Sequence, residues 1–132
     1  MIYTASELRS RLDRLLRLNL ATLPTPLHSL PRLSKKLGPN IFVKREDLTG
    51  LGMGGNKIRE FEYSIAQGIE KGYDVLLHGA AAQSNQSRQT AAVAAKLGSR
   101  SVIIGRHDAH AHNQGNLLSR NNDRRTHVRT PL

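Results

Sequence analysis

Val75-Leu-Leu-His-Gly-Ala-Ala-Ala-Gln-Ser-Asn-Gln-Ser-Arg-Gln-Thr-Ala-Ala-Val-Ala-Ala-Lys-Leu-Gly98, followed by Val102-Ile-Ile104, decides the fold class. Val75-Leu-Leu77 is an apolar run of strand type, and Gly79 to Ser84 is a run of small residues that reads as a turn. From about residue 85 to 97 the alanine-rich stretch favours helix, and Gly98 ends it. Val102-Ile-Ile104 is a second strand. Upstream, Ile58, Phe61, Ile65, Ala66 and Ile69 mark one apolar face of a helix that starts at Asn56, read as its cap, and runs through Lys71 to a stop at Gly72. Helix, strand, helix, strand is the order of an open α/β sheet with crossovers. The expected class is therefore α/β, an open and mostly parallel sheet with flanking helices.

Further toward the N-terminus, Thr49-Gly-Leu-Gly-Met-Gly-Gly55 holds four glycines in seven residues. Such a stretch does not hold a helix, and it lets the backbone come close to a ligand. Ile41-Phe-Val-Lys44 is a short strand, and Pro31 opens a short helix that Gly38-Pro39 ends. Leu23-Pro-Thr-Pro26 is a rigid, extended break. Thr4-Ala-Ser-Glu7 has the form of a capping box. Leu8, Leu12, Leu15 and Leu16 then share one helical face, which predicts a helix from about 5 to 18. Past Gly105 the pattern degrades. Ser119 through His127 are all polar, so residues 119–132 read as an irregular basic tail. A parallel sheet that stops after two or three strands leaves an apolar edge and a half-covered face, so the sequence reads as the front part of something larger.

The 132 residues include no Cys and no Trp, which excludes a disulfide framework, a thiolate metal site and a cysteine nucleophile. No apolar run approaches the roughly 20 residues needed to cross a bilayer. The start has no uninterrupted apolar core of the secretory type, so a cytoplasmic protein is the expectation. The formal charge is +10. It gathers at Arg9, Arg11, Arg14 and Arg17 and again at Arg120, Arg124, Arg125 and Arg129. Neither patch is interleaved with aromatics that could stack bases. A solvated basic surface is the expected reading, with neither nucleic acid nor membrane as partner.

Three clusters carry chemistry. In the first, the glycine loop runs into Asn56-Lys57. A phosphate-loop reading fails, because Asn56 interrupts the Gly-Lys pair and Ile58 stands where Ser or Thr belongs. Lys57 sits where a glycine loop meets a helix N-terminus. There the positive helix end favours the neutral amine that condensation with an aldehyde requires. On spacing alone, a solvated lysine in a first helical turn stands beside that reading. The second cluster is Gln83-Ser-Asn-Gln-Ser-Arg-Gln89, at the C-terminal end of a strand and on the first turn of a helix, where open α/β sheets bind ligands. The amides of Asn85, Gln86 and Ser87 suit an anion such as a carboxylate, and Ser84 suits a hydrogen bond or a nucleophile. A capping residue followed by a polar face is the blander alternative. The third is His107-Asp-Ala-His-Ala-His112, whose spacing does not match a helical ligand pair; no resident metal is expected.

Leu23-Pro-Thr-Pro-Leu27, Ile41-Phe-Val-Lys-Arg-Glu-Asp-Leu48, Gly54-Gly-Asn-Lys-Ile-Arg59 and Gln83-Ser-Asn-Gln-Ser-Arg-Gln89 with its continuation to Gly98 resemble, in order and spacing, the 1-aminocyclopropane-1-carboxylate deaminase/D-cysteine desulfhydrase family. These are pyridoxal-phosphate enzymes of the tryptophan-synthase-β fold type. The resemblance covers about residues 20–105, with a fainter match at Gln114-Gly-Asn-Leu-Leu118. It implies a truncated fold of that type. Residues 1–50 would belong to the large domain, 51–118 to an incomplete small α/β domain, and 119–132 to the tail.

By position, Lys57 matches the lysine that bonds the pyridoxal 5'-phosphate, and Asn85 the residue that hydrogen-bonds its ring hydroxyl. Ser84, Asn85 and Gln86 match residues at the substrate, with Ser84 also a candidate catalytic group. Gln86 stands where the deaminase branch has Gln and the desulfhydrase branch commonly has His. Glu60 replaces the usual basic residue after Arg59. The implied activity is deamination of 1-aminocyclopropane-1-carboxylate to 2-oxobutanoate and ammonia. The alternatives are a D-cysteine desulfhydrase, releasing sulfide, pyruvate and ammonia, and a non-catalytic fragment or interaction domain. The implied partners are a small amino-acid substrate and, for the intact relative, further copies of itself. Family members are well over twice this length and carry their phosphate-binding loop beyond this stretch, so the chain alone is expected to be inactive.

Overall fold

The computed structural model describes residues 2–81, 83–105, 115–116 and, for the backbone, 127–129. Three strands form the sheet that carries the site. β3 (Val75–Ala80) and β4 (Arg100–Gly105) run parallel in a register that pairs Val75 with Arg100 and Ala80 with Gly105. Helix α5 (Asn85–Leu97) is the crossover between them, and Gly98 ends it in the left-handed conformation at φ +71°. This is the α/β unit that the apolar runs predict.

β5 (His127–Arg129) adds in parallel to β4, pairing Ile103 with His127 and Gly105 with Arg129. The stretch read as an irregular tail thus contributes a strand. Periodicity could not reveal it, because three residues are too few to alternate. A second, two-stranded sheet pairs β1 (Leu27–Ser29) antiparallel with β2 (Phe42–Lys44), and α2 (Pro31–Leu37) connects them, ending at Gly38.

The N-terminal helix is shorter than its leucines suggest. α1 spans Ala5–Leu12, with the Thr4/Glu7 capping box in place and no residue buried. The chain leaves the helix because its continuation is needed elsewhere. The Leu18 N–H donates to the Glu62 carbonyl at 2.8 Å, and Leu18, Leu20, Ala21 and Leu23 enter the core. Leu8, Leu12, Leu15 and Leu16 stay exposed.

The core packs Leu20, Ala21, Ile58, Phe61 and Val93 together, with Leu51, Ile65 and Leu97 at its margin. Residues on both sides of position 50 therefore share it. The helix expected from Asn56 to Lys71 is interrupted at Ile65, giving α3 (Lys57–Ser64) and α4 (Ala66–Glu70). Ile65 N–H still reaches Phe61 O at 3.2 Å, so the turn is loosened, not ended. Asn56 occupies the N-cap position but makes no capping bond. Its backbone is already helical, whereas a capping side chain needs an extended one. Among the described residues no helix is long and apolar enough to cross a membrane.

Candidate active site

The glycine loop is built as two 3₁₀ turns, Glu46–Thr49 and Leu51–Met53, with Gly50 between them at φ +89°. Thr49 closes it. Its hydroxyl lies 3.1 Å from both the Glu46 and the Gly55 carbonyls and accepts the Gly55 N–H at 2.9 Å. Space requires glycine at two positions: a Cβ on Gly54 would lie 1.9 Å from the Asp47 carbonyl oxygen, and one on Gly52 would lie 2.6 Å from Ala92 Cβ. A Cβ on Gly55 would lie 1.9 Å from Gln89 Nε2 and displace that side chain.

An ion pair closes the loop from outside. Arg59 donates to both Glu46 oxygens, from Nε at 2.6 Å and Nη2 at 2.9 Å, and Thr25 Oγ1 donates to Glu46 at 2.7 Å. The Arg59 guanidinium, then the Thr25 hydroxyl, hold the Glu46 carboxyl down to about 2. The Lys-Arg-Glu-Asp and Asn-Lys-Ile-Arg motifs are thereby held to each other across the loop. Lys44 Nζ donates to the Thr25 carbonyl and completes this brace.

Lys57 is the first residue of α3, directly past the loop. Its Nζ lies 3.4 Å from Glu60 Oε2, and both side chains are partly exposed. An exposed pair at that distance is worth at most about 1 kcal/mol. The amine therefore stays available to a competing partner.

Ser84 caps α5, its hydroxyl accepting the Ser87 N–H at 3.3 Å. The Ser87 amide is thereby engaged, so of the three amides expected to face an anion, Asn85 and Gln86 remain. The Gln86 carbonyl accepts the Thr90 hydroxyl at 2.9 Å. Asn85 Oδ1 accepts from Asn116 Nδ2 at 2.8 Å and from Arg88 Nη2 at 3.5 Å.

The lysine cluster and the amide cluster meet at one atom. The Gly54 carbonyl accepts from Gln89 Nε2 at 2.7 Å and from Arg88 Nη2 at 3.3 Å, in the second turn of α5. Arg88 is 8% exposed and Gln89 is 1% exposed. Burial lowers the Arg88 guanidinium from its ordinary value, and the group remains a donor. Carbonyl and carboxamide oxygens are its acceptors here, as Arg88 Nε also donates to Asn116 Oδ1 at 2.8 Å.

Sequence reasoning quoted the stretches that contain Thr49, Arg88, Gln89 and Asn116 but gave none of the four a role. Arg88 gave one signal, a cation on an alanine-rich helix with no acidic residue one turn away. Asn116 lies within the faint Gln114–Leu118 match. His107, His110 and His112 lie outside the described residues. Among the described residues no group of three or more His, Asp or Glu is placed to hold a metal ion.

Residues 18–122 match the family described as pyridoxal-phosphate dependent enzyme. Over 93 residues the chain is 54% identical to a D-cysteine desulfhydrase of Klebsiella pneumoniae subsp. pneumoniae, a match covering 70% of this chain and 28% of the relative. A D-cysteine desulfhydrase of Salmonella paratyphi B is 52% identical over the same span and coverage. A crystal structure described as an ACC deaminase homologue superposes with a TM-score of 0.88 at 32% identity, covering 98% of this chain and 39% of that one. The matched stretch is thus little more than a quarter of the curated relatives' length.

Proposed function

The chain belongs to the pyridoxal-phosphate-dependent enzymes, and from that premise we propose that Lys57 and the first turn of α5 form the part of a cofactor site that takes the aldehyde and the ring, acting on a small amino acid with release of ammonia. The observation that carries this reading is the double hydrogen bond to the Gly54 carbonyl. It docks the loop that bears the lysine onto the helix that bears Ser84, Asn85 and Gln86.

The residues present fit pyridoxal phosphate in kind. Lys57 offers a reachable primary amine for the aldehyde. Asn85 offers a carboxamide for the ring hydroxyl. The amides of Asn85 and Gln86 at the positive end of α5, with Ser84 and the Gln86 side chain beside them, suit a substrate carboxylate. Pyridoxal phosphate supplies the electron sink for breaking bonds at the amino-acid α-carbon. The chain's own part is to hold the ring, to orient the carboxylate, and to keep the amine of Lys57 within reach through a glycine loop tied to α5 by Arg88 and Gln89.

A D-cysteine desulfhydrase activity for the whole protein is favoured by the 52–54% identity to relatives of that name. A deaminase acting on 1-aminocyclopropane-1-carboxylate is the second reading, favoured by Gln86. Titration of the purified chain with pyridoxal phosphate, borohydride reduction and peptide mapping tests the site. The expected result is a saturable absorbance change with label confined to Lys57. Label spread over Lys35, Lys36 and Lys71 without saturation would overturn it. No turnover of either amino acid is expected from the 132-residue chain, and sulfide or 2-oxo-acid release by it would overturn that expectation.

A further inference from the structure

A carboxamide is oriented by what it faces, and Asn116 faces two groups that cannot exchange roles. The Arg88 guanidinium donates and never accepts. Its Nε lies 2.8 Å from one side-chain atom of Asn116, which must therefore be Oδ1. The Gln83 carbonyl accepts and never donates. It lies 2.7 Å from the other atom, which must be Nδ2. The Asn116 backbone N–H, donating to Gln83 Oε1 at 3.0 Å, fixes the residue from a third side.

The second hydrogen on Asn116 Nδ2 is directed at Asn85, 2.8 Å away. A donor must meet an acceptor, so the Asn85 atom there is Oδ1. Arg88 Nη2 reaches the same oxygen at 3.5 Å. Both lone pairs of Asn85 Oδ1 are then occupied, and the polar end left to the side chain is its NH₂ group.

We propose that Arg88 and Asn116 are positioning residues: the irreversible donor Arg88 sets the polarity of a relay through Asn116, so that Asn85 is offered to the site as a hydrogen-bond donor only. The ligand atom that Asn85 takes is then an acceptor oxygen, and an ionised phenolic oxygen on a hydroxypyridine ring is preferred over its protonated form. The identity of that oxygen rests on the function proposed above. The orientation rests only on bonds within this chain. Arg88 is suited to start the relay because its burial and its bond to Gly54 O hold it in one place.

The orientation is read without cofactor, from side-chain amide exchange in the ¹⁵N-labelled chain. The Asn116 NH₂ protons are expected to exchange about tenfold more slowly than those of Asn85, because, of the two NH₂ groups, the Asn116 one is bonded to Gln83 and Asn85. Equal exchange would overturn the relay.

The consequence is read from the pH midpoint of the absorbance change with pyridoxal phosphate. Asn116→Asp still accepts from Arg88 but cannot donate to Asn85, and Asn116→Leu removes both roles without adding charge. Both are expected to raise the midpoint by about one pH unit, the scale of one lost hydrogen bond to an ionised oxygen. An unchanged midpoint in Asn116→Leu, with Lys57 still labelled, overturns the proposal. Slow Asn116 exchange in a chain that never saturates with pyridoxal phosphate supports the relay and removes the ring-oxygen reading alone.

Discussion

Helix α1 begins at Thr4, whose hydroxyl accepts the Glu7 N–H at 3.3 Å, and helix α5 begins at Ser84, whose hydroxyl accepts the Ser87 N–H at the same distance. α1 adds a full capping box, so by local rules it is the better-started helix. Yet α1 runs 8 residues and buries none, while α5 runs 13 and buries seven. A cap chooses where a helix starts. How far it continues depends on whether the next turn has something to pack against. α5 lies on β3, β4 and the glycine loop, whereas Leu8 and Leu12 on α1 stay 47% and 46% exposed.

The boundary between these two regimes falls at residues 17–21, and Glu62 marks it. Glu62 is 1% exposed, accepts the Leu20 and Ala21 N–H groups at 3.0 and 2.8 Å, and pairs with Arg17 at 2.6 Å. Burial pushes its carboxyl up, but the Ala21 N–H, Arg17 and the Leu20 N–H together outweigh that and hold it below the usual range. Glu62→Ala leaves two buried N–H groups and Arg17 without their acceptor, and is expected to cost about 3–5 kcal/mol in urea unfolding. A loss under about 1 kcal/mol would place residues 17–21 with α1 and move the boundary.

A smaller effect separates the two helices directly. Val93 on α5 is fully buried and Leu12 on α1 is 46% exposed. Val93→Ala is expected to cost about 2 kcal/mol through lost transfer energy and a cavity. Leu12→Ala is expected to stay within about 0.5 kcal/mol. Equal losses would mean that the face of α1 is covered in solution, and the comparison would fail.

Acid sharpens the same contrast. Glu46 beside the loop under α5 has its carboxyl lowered from 4.5 to about 2. A depressed carboxyl contributes stability that is complete above its unfolded value and is lost as pH falls through its folded value. Global stability is therefore expected to fall between pH 4.5 and about 2, by roughly 1–2 kcal/mol from this group once solvent screening is allowed for. Glu46→Gln should flatten that slope. Glu7 in α1 is also lowered, by the Thr4 backbone and then its side chain. Its protonation should appear as a loss of helix signal with no change in the unfolding midpoint. A slope unchanged in Glu46→Gln would remove the Arg59 brace from the account.

What the sequence made legible follows the same division. The strands and the helix between Val75 and Gly105 could be read because their apolar periods are local and their glycine stops are adjacent. That Lys57 and Ser84-Asn-Gln86 stand at loop-to-helix junctions could be read from composition, whereas the roles proposed for them come from the family resemblance. The end of α1 could not, since the residue that draws the chain away is Glu62, more than 40 positions later. The contacts that join the two site clusters were equally hidden. Gly54 is named by its space but not by the Arg88 and Gln89 that bind its carbonyl, and Asn116 lies 31 positions from the Asn85 it orients.

The core's long reach also fixes an order of events during synthesis. Leu20 packs with Ile58, Phe61 and Val93, and its carbonyl accepts from Lys96 Nζ across 76 positions. At about 5–20 residues per second, that partner is polymerised roughly 4–15 seconds after Leu20. Through that interval Leu18, Leu20, Ala21 and Leu23 have no finished surface to join. Completing α5 therefore supplies the last of the groups, Val93 and Lys96, that enclose this segment.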